Sequence, residues 1–209
     1  MNRLILIRHG QSEHHIQGLT GGWTDTPLTR FGRTQAQAAA ERCKQIVSEE
    51  SSLCLYSSDL LRASQTAEYI ANALGLECQR DPALREINNG IAVNMTWEEA
   101  KQLELPETQP LWHWLPYPQA ESWSMMTERV FAGMERIERV CPSTAVIVAH
   151  GFSGVATIQW WLRLDEHHRQ NITFQLSAAS ITELSLSSRQ ERTIVRLNDT
   201  AHLQQEPPA

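Results

Sequence analysis

The chain has 209 residues, of which 41% are hydrophobic, enough to bury one sizeable core. Its formal net charge of −6 argues against a nucleic-acid partner, because there is no surplus of lysine and arginine to neutralise a phosphate backbone. No apolar run approaches membrane-spanning length, and the first is too short for a secretion signal, so we expect a cytoplasmic protein that does not bind membranes.

The first predicted elements are a strand and a helix joined by a polar loop. The apolar run over residues 4–7 is typical of a buried strand in an α/β sheet. Residues 11–26 are polar and contain glycine, which predicts a loop at the edge of the sheet. Thr29 precedes an alanine-rich stretch over 34–47, so it is a candidate N-cap for the first long helix.

A second strand, a second helix and a third strand follow. Residues 53–56 have a strand pattern, and Asp59 is a candidate N-cap for a helix that extends through residue 74. Gly75 would end this helix, because glycine tolerates the left-handed conformation that often follows a helix. A short strand is predicted over 76–79.

The middle of the chain is rich in proline and tryptophan and has no clean period. Thr96 and Glu99 fit the capping box of a helix start, whereas residues 106–118 have neither a helix nor a strand pattern. We interpret the stretch from about 88 to 122 as a small irregular cap insertion. The elements predicted after it are a helix over 122–140, a strand over 145–149, a helix over 154–164, and strands over 180–186 and 193–197.

The alternation of strands and helices predicts a three-layer α/β/α sandwich. We expect residues 1–203 to form a single domain and residues 204–209 to form a disordered tail. The sequence does not indicate an oligomeric state.

The cysteines indicate neither disulfides nor a metal site. Cys43, Cys54, Cys78 and Cys141 show no paired spacing, which favours reduced thiols in a cytoplasmic protein. No spacing typical of a zinc site occurs, so we expect neither a metal nor another cofactor.

Two histidines stand where strands are predicted to end. His9 follows the first strand and His150 follows the strand over 145–149, and each precedes a glycine. In open α/β sheets, ligands bind at the carboxyl edge of the strands. Two imidazoles and the adjacent Arg8 at this edge suit attack on a phosphate. A neutral imidazole is a nucleophile, and a guanidinium binds phosphate oxygens through paired donors.

Four separated blocks of sequence extend this pattern. They cover residues 8–12 with 21–32, 57–67, 84–87 and 148–151. In this order and spacing they resemble the histidine phosphatase superfamily, the phosphoglycerate-mutase-like proteins, and the resemblance covers nearly the whole chain. It implies a mostly parallel sheet with helices on both faces, and a reaction that proceeds through a phosphohistidine.

The resemblance also implies roles for individual residues. His9 matches the histidine that becomes phosphorylated, and Glu86 matches the proton donor. Arg8 and Arg62 match the arginines that hold the phosphate oxygens. His150 would add a third donor, preferably as imidazolium beside the phosphate dianion. The other residues expected to bind substrate are Ser12, His15, Gly21, Gly22 and Gly151.

Three positions depart from the pattern of the family. His15 stands where relatives commonly have asparagine; an imidazole can donate to phosphate, but a protonated one would make binding depend on pH. Residues 92–94 replace an aromatic-Glu-Gly triplet, and Ala120 replaces the glycine of a Gly-Glu-Ser block. The loop after Glu86 is therefore expected to have its own shape, and the resemblance does not name the substrate.

These observations favour a metal-independent phosphomonoester hydrolase that acts on a small phosphorylated metabolite through phospho-His9. Two alternatives stay open. A cofactor-dependent phosphoglycerate mutase is similar in the first block, but the stretch over 88–122 carries Lys101 as its one lysine or arginine, whereas a triose bisphosphate requires several. A non-catalytic module that binds phosphorylated ligands would need neither nucleophile nor acid.

The cap segment and its borders are unusually aromatic, with Trp97, Trp112, Trp114 and Trp123. One interpretation is core packing under the cap. The other is an apolar wall for the part of the substrate that is remote from its phosphate.

Overall fold

The computed structural model of the protein describes residues 1–141 and 143–203, so the tail predicted over 204–209 lies outside the described residues. The strands are β1 (Arg3–Arg8), β2 (Leu53–Ser57), β3 (Cys78–Arg80), β4 (Thr144–Ala149), β5 (Ile181–Leu186) and β6 (Arg192–Asp199). The α-helices are α1 (Glu13–Gln17), α2 (Arg30–Ile46), α3 (Leu61–Leu74), α4 (Trp97–Lys101), α5 (Trp123–Val140), α6 (Gly151–Trp161) and α7 (Glu166–Asn171).

The six strands form one mostly parallel sheet in the order β3-β2-β4-β1-β5-β6. The first four strands in this order pair in parallel, while β5 is antiparallel to both of its neighbours. The order reverses between β1 and β4, which lie side by side although the chain visits β2 and β3 between them. Such a reversal leaves a crevice at the carboxyl ends of the two strands.

Helices cover both faces of the sheet, which confirms the three-layer prediction. Ile5 and Ile7 of β1 belong to an apolar cluster with residues of α2 and α3. Leu4 and Leu6 belong to the opposite cluster, which contains residues of α5 and α6. Because successive side chains of a strand point to opposite faces, a continuously apolar strand such as β1 serves both layers.

Two of the predicted helix caps are confirmed, with one helix beginning earlier than expected. Thr29 accepts a hydrogen bond from the Gly32 backbone N–H at 2.8 Å, and α2 begins directly after it rather than at residue 34. Gly75 ends α3 in the left-handed conformation with φ 67°. That conformation is strained for a residue with a Cβ atom.

The predicted cap of α3 is wrong. Asp59 instead accepts hydrogen bonds from Arg85 Nε at 2.7 Å and Nη2 at 2.5 Å. The Leu61 backbone N–H at the start of α3 donates to Asp25 Oδ1 at 2.6 Å. The capping carboxylate therefore comes from a residue 36 positions away, which a local reading of the sequence cannot find.

Three helices differ from the sequence prediction. The loop over 11–26 contains the short α1, and α7 was not predicted. Helix α6 begins at Gly151 rather than at residue 154, because every residue from 153 to 161 is buried and the helix shows no amphipathic period that marks its start. None of the helices in the described part of the chain is both long and apolar enough to cross a bilayer.

Short helical turns order the segment over 88–122, which the sequence predicts to be an irregular cap. It contains α4 and 3-10 turns at Gly90–Ala92 and Leu111–His113. Thr96 and Glu99 form the predicted capping box, with the Glu99 backbone N–H donating to Thr96 Oγ1 at 3.2 Å. Trp114 Nε1 donates to the Pro106 carbonyl at 3.0 Å, so this tryptophan ties two parts of the cap together.

The expectation of four reduced thiols is wrong for one pair. Cys54 and Cys141 form a disulfide with their Cα atoms 6.1 Å apart, while Cys43 and Cys78 are free. Cys54 lies on β2, and Cys141 lies just before β4, which pairs with β2. The sheet brings together two residues that are 87 positions apart, so their spacing in the sequence gives no signal.

Candidate active site

The ends of β1 and β4 bring the two predicted histidines together. Arg8 lies opposite Ala149 in the parallel register, so His9 and His150 leave the sheet side by side. The His9 backbone N–H donates to the Ala149 carbonyl at 3.0 Å, and the two imidazole centroids lie 4.9 Å apart. Both residues are buried at the edge where sheets of this kind bind ligands.

The contacts of His9 fix its tautomer. Its Nδ1 lies 2.7 Å from the Gly10 carbonyl oxygen and must carry the proton, because a carbonyl only accepts. Nε2 is therefore the basic nitrogen, and Arg62 Nε donates to it at 3.2 Å. Burial, reinforced by the positive charge of Arg62, lowers the pKa of His9 well below its usual value. A neutral imidazole with a lone pair on Nε2 is suited to nucleophilic attack.

Arg62 is the second residue of α3 and is 1% exposed. Its Nη1 donates to the Thr24 carbonyl at 2.8 Å and its Nη2 to the Gly22 carbonyl at 2.7 Å. Burial lowers the pKa of Arg62 to about 10, so it remains charged at neutral pH. One N–H on each terminal nitrogen has no acceptor among the described residues, which leaves a pair of donors for a phosphate.

Arg8 supplies the second positive charge beside His9. Its Nη1 donates to the Leu176 carbonyl at 2.5 Å, but its buried Nε has no hydrogen-bond partner in the described part of the chain. Desolvation lowers the pKa of Arg8, and the negative charge of Glu86 opposes that shift. A buried donor without a partner costs about 1–3 kcal/mol. A ligand that brings an acceptor, such as a phosphate oxygen, would remove this cost.

Glu86 lies against the N-terminus of α6. Its Oε2 accepts from the Phe152 backbone N–H at 3.0 Å, and its Oε1 accepts from the backbone N–H groups of Ser153 at 3.1 Å and Ile87 at 3.0 Å. These donors hold the carboxyl group in one orientation on the cavity wall, 9% exposed.

His150 contacts His9 edge-on but does not reach the cavity wall. Its Nε2 lies 2.8 Å from Ser58 Oγ, and its buried Nδ1 has no partner among residues 1–141 and 143–203. Burial, together with the positive charges of Arg62 and Arg8, lowers the pKa of His150 well below its usual value. In the ligand-free site this favours the neutral imidazole, and the expected imidazolium beside a bound dianion stays a prediction.

Ser12, the N-cap residue of α1, determines the tautomer of neutral His15. Ser12 is fully buried and does not line the cavity, but its backbone N–H donates to His15 Nδ1 at 3.1 Å. The proton of neutral His15 must then be on Nε2. His15 is exposed on the cavity wall, and partial desolvation, with the positive charges of Arg8 and Arg62 nearby, lowers the pKa of His15 to about 4. His15 thus offers an uncharged N–H donor, as the asparagine of relatives would.

We expect His15→Asn to keep KM for a phosphate monoester within about twofold of the wild-type value from about pH 5.5 to 8. In the ligand-free site the pKa of His15 is lowered to about 4, so we expect neither protein to carry a charge here in that range. His15→Leu removes the donor and is expected to raise KM about tenfold.

Parallel KM–pH profiles test this prediction. The second ionisation of the ester, near pH ~6, changes both profiles equally. A wild-type limb near pH ~6.5 that disappears in the asparagine variant would show that His15 is charged at neutral pH, contrary to the prediction.

A further histidine at the cavity was not predicted. His14 is 5% exposed and lines the cavity, with its ring centroid 4.1 Å from that of His15. Its Nδ1 lies 3.0 Å from both Ser12 Oγ and Thr26 Oγ1. Burial, with the charge of Arg62 adding to it, lowers the pKa of His14 to about 3. His14 lies close in sequence to the Arg8-His9-Gly10 motif, which could have indicated a role in the site. The segment was predicted to be a loop, so the short helix that places His14 on the cavity wall was missed.

The three predicted glycines all line the cavity. Gly22 has φ 57°, and this left-handed conformation turns its carbonyl towards Arg62. A Cβ atom on Gly151 would lie 3.5 Å from Glu86 Oε2 and 3.8 Å from Arg8 Cζ. A side chain at Gly151 would therefore fill space between two charged groups of the site.

Arg129 and Glu121 support the Glu86 segment from behind, and the sequence did not point to Arg129. Arg129 Nη2 donates to the Glu86 carbonyl at 3.1 Å and to Glu121 Oε2 at 2.7 Å. Glu121 Oε2 also accepts from the Asn88 backbone N–H at 2.9 Å. Glu121 therefore anchors the Asn88 backbone and Arg129, although Ala120 replaces the glycine of the Gly-Glu-Ser block.

The site opens into a cavity of about 530 Å³. Its charged wall residues are Arg8, Arg62 and Glu86, and the cap contributes Trp97 and Tyr117 to the wall. Within the described chain, no group of three or more histidine, cysteine, aspartate or glutamate residues could hold a metal ion. Independence from metals stays a prediction, which an assay must test.

The fold and the site define a class of α/β proteins in which an imidazole, two guanidinium groups and a carboxyl group meet at the edge of the sheet. The sequence profile of the histidine phosphatase superfamily (branch 1) matches residues 4–200, and the chain belongs to this family.

Named relatives include both mutases and phosphatases. A protein of Yersinia pestis (strain Pestoides F) named probable phosphoglycerate mutase GpmB is 28% identical, over 97% of this chain and 95% of its own. A mycobacterial glucosyl-3-phosphoglycerate phosphatase is 28% identical, with a TM-score of 0.78 over 96% of this chain and 100% of its own. The alpha-ribazole phosphatase of Shigella flexneri shares the fold at 22% identity, with a TM-score of 0.78 over 94% and 96% of the two chains.

Proposed function

We propose that the protein is a phosphomonoester hydrolase that transfers the phosphoryl group of a small metabolite to His9 and then to water. The observation that carries the proposal is the state of His9. Its Nδ1 proton is committed to the Gly10 carbonyl, and its basic Nε2 lies beside two guanidinium groups. A module that only binds phosphate has no need of a neutral nucleophile at the bottom of its site.

In the first step, a phosphate oxygen of the bound ester takes over the donors of Arg62, which frees the lone pair of His9 Nε2. This nitrogen forms a bond to phosphorus while the bond from phosphorus to the ester oxygen breaks. Glu86 acts as the general acid and gives a proton to the departing oxygen. Arg8 and Arg62 stabilise the charge on the phosphoryl oxygens during the transfer.

In the second step, water replaces the alcohol. Glu86, now a carboxylate, takes a proton from the water as its oxygen attacks phosphorus. The bond between phosphorus and Nε2 breaks, inorganic phosphate leaves, and His9 returns to its neutral state. Burial of His9 favours this state, because it lowers the pKa of the imidazole.

The charges of the cavity favour hydrolysis over the mutase alternative that the names of some relatives suggest. Among the described residues that line the cavity, the lysine and arginine residues are Arg8 and Arg62, and we expect both to bind the transferred phosphate. Lys101 of the cap does not line the cavity. A phosphoglycerate also brings a carboxylate, and a bisphosphate brings a second dianion. Each would require a further cation on the walls of this first cavity, since a buried unpaired charge is costly. A monoester with an uncharged alcohol part fits the cavity better.

Hydrolysis of para-nitrophenyl phosphate in the presence of EDTA tests the proposal, with isomerisation of 3-phosphoglycerate measured beside it. We expect hydrolysis that persists in the chelator, with kcat/KM at least about tenfold above that for isomerisation. Faster isomerisation would identify a mutase. Binding of phosphate without either reaction would identify a non-catalytic module, and loss of hydrolysis in EDTA would contradict metal independence.

A further inference from the structure

A second cavity of about 480 Å³ adjoins the first. Trp123, Phe152, Val155 and Thr173 line both cavities, so these residues form the boundary between them. The two spaces are therefore adjacent compartments of one cleft that runs from the phosphate site beneath the cap. A phosphate monoester of metabolite size can occupy the first compartment, and the second has room for a further ring.

Aromatic and aliphatic side chains form much of the wall of the second compartment. The Trp112 ring stacks on Trp123 with centroids 6.5 Å apart and an angle of 17° between the planes. Trp123 in turn lies 4.5 Å from Phe152, which is 46% exposed. Ile172 also lines this space and is 38% exposed. Open apolar surface that continues from a reaction site is typical of a ligand-binding groove.

The same compartment contains a donor and an acceptor that the protein does not use. Arg169 lines it, and within the described residues the Arg169 guanidinium has no hydrogen-bond acceptor, with Nε fully buried. Its one ring contact is with Phe131, whose centroid lies 4.9 Å from Cζ.

Gln159 provides the acceptor. Its Nε2 donates to the carbonyls of Arg169 at 3.2 Å and Ile172 at 2.9 Å. The other amide atom, Oε1, has no donor in the described part of the chain, although the residue is only 3% exposed.

We propose that the second cavity is a subsite for a hydroxyl-bearing ring, such as a second sugar, in the alcohol part of the ester whose phosphate lies at His9. The inference rests on the proposed hydrolase function and names the substrate class as a glycoside phosphate. A sugar ring has an apolar face that packs on the Trp112 and Phe152 side, and hydroxyl groups that satisfy both Arg169 and Gln159. A purely apolar ring would leave the Arg169 guanidinium without an acceptor. A second phosphate dianion would have Arg169 as its one cationic partner among the described residues that line this compartment.

Glucose 6-phosphate and trehalose 6-phosphate form a matched pair of substrates, because they share the reacting end and differ by one glucose ring. We expect wild-type kcat/KM to be at least about tenfold higher for trehalose 6-phosphate. Arg169→Gln should reduce this ratio to about one while leaving glucose 6-phosphate and para-nitrophenyl phosphate unchanged. Arg189→Gln, in the exposed turn between β5 and β6, makes the same charge change far from the subsite and should alter neither substrate.

A second variant keeps the proposal testable if Arg169→Gln does not fold. Ile172→Trp adds volume from a partly exposed position, and it should lower activity on trehalose 6-phosphate alone. A wild-type ratio near one, or equal losses on both substrates in either variant, would overturn the subsite. Absence of para-nitrophenyl phosphate hydrolysis in the wild type would instead overturn the proposed function, so the two failures are distinguishable.

Discussion

Replacing His9 with alanine is expected to lower kcat for para-nitrophenyl phosphate by about 10⁴-fold or more, because the nitrogen that bonds to phosphorus is removed. The fold should persist. The His9 side chain contributes one hydrogen bond to Gly10 and one to Arg62, so its loss leaves a buried Arg62 donor unpaired and should lower the free energy of unfolding by about 1–3 kcal/mol. Steady-state kinetics and thermal denaturation of the same preparation measure both quantities.

The matched control is His113→Ala, which removes an exposed imidazole from the cap. We expect wild-type kinetics from it. If His9→Ala retains more than a few per cent of the wild-type rate, His9 is not the nucleophile. If it unfolds, the kinetic loss says nothing about chemistry, and His9→Gln, which keeps a polar group in the buried space, takes its place.

Glu86→Gln is expected to slow the hydrolysis of alkyl phosphates by about 10²- to 10⁴-fold and that of para-nitrophenyl phosphate by less than about tenfold. An alkoxide needs a proton as it leaves, whereas para-nitrophenolate is stable without one. Glutamine retains one oxygen for the backbone N–H groups of Ile87 and Ser153, which both donate to Oε1. The variant therefore removes the proton donor while keeping part of the anchoring.

The dependence on the leaving group is the decisive readout for Glu86. Equal losses on both kinds of ester would show that the residue positions α6 without donating a proton. Glu107→Gln changes the same group at an exposed site in the cap and should leave both rates at the wild-type level.

The sequence predicted the parts of the fold that depend on local pattern. Three features depend on neighbouring residues alone: the apolar run of β1, the Thr29 cap and the left-handed Gly75 after α3. All three predictions are confirmed. The three-layer fold follows from the alternation of these elements. The family motif also led to His9, Arg62 and Glu86, and the structure brings these residues to one cavity.

Features that depend on contacts between distant segments could not be predicted. Asp25 caps α3 from another loop, and Arg129 of α5 reaches the Glu86 carbonyl. The disulfide joins Cys54 and Cys141 because β2 and β4 are neighbours in the sheet.

The protonation states of the site histidines could not be predicted from the sequence either. Burial beside two arginines lowers the pKa of His150 in the ligand-free site, and no sequence pattern reports burial of that kind. For His15, the tautomer depends on a backbone N–H of the preceding turn.

The most direct test of phosphoryl transfer through His9 is a chemical quench of the wild-type enzyme during turnover, followed by mass spectrometry of its peptides under alkaline conditions that preserve a phosphorus–nitrogen bond. The account predicts an acid-labile phosphoryl group on the peptide that contains His9, which decays as substrate is exhausted. No label at any time during turnover, or a label on a different residue, would contradict it.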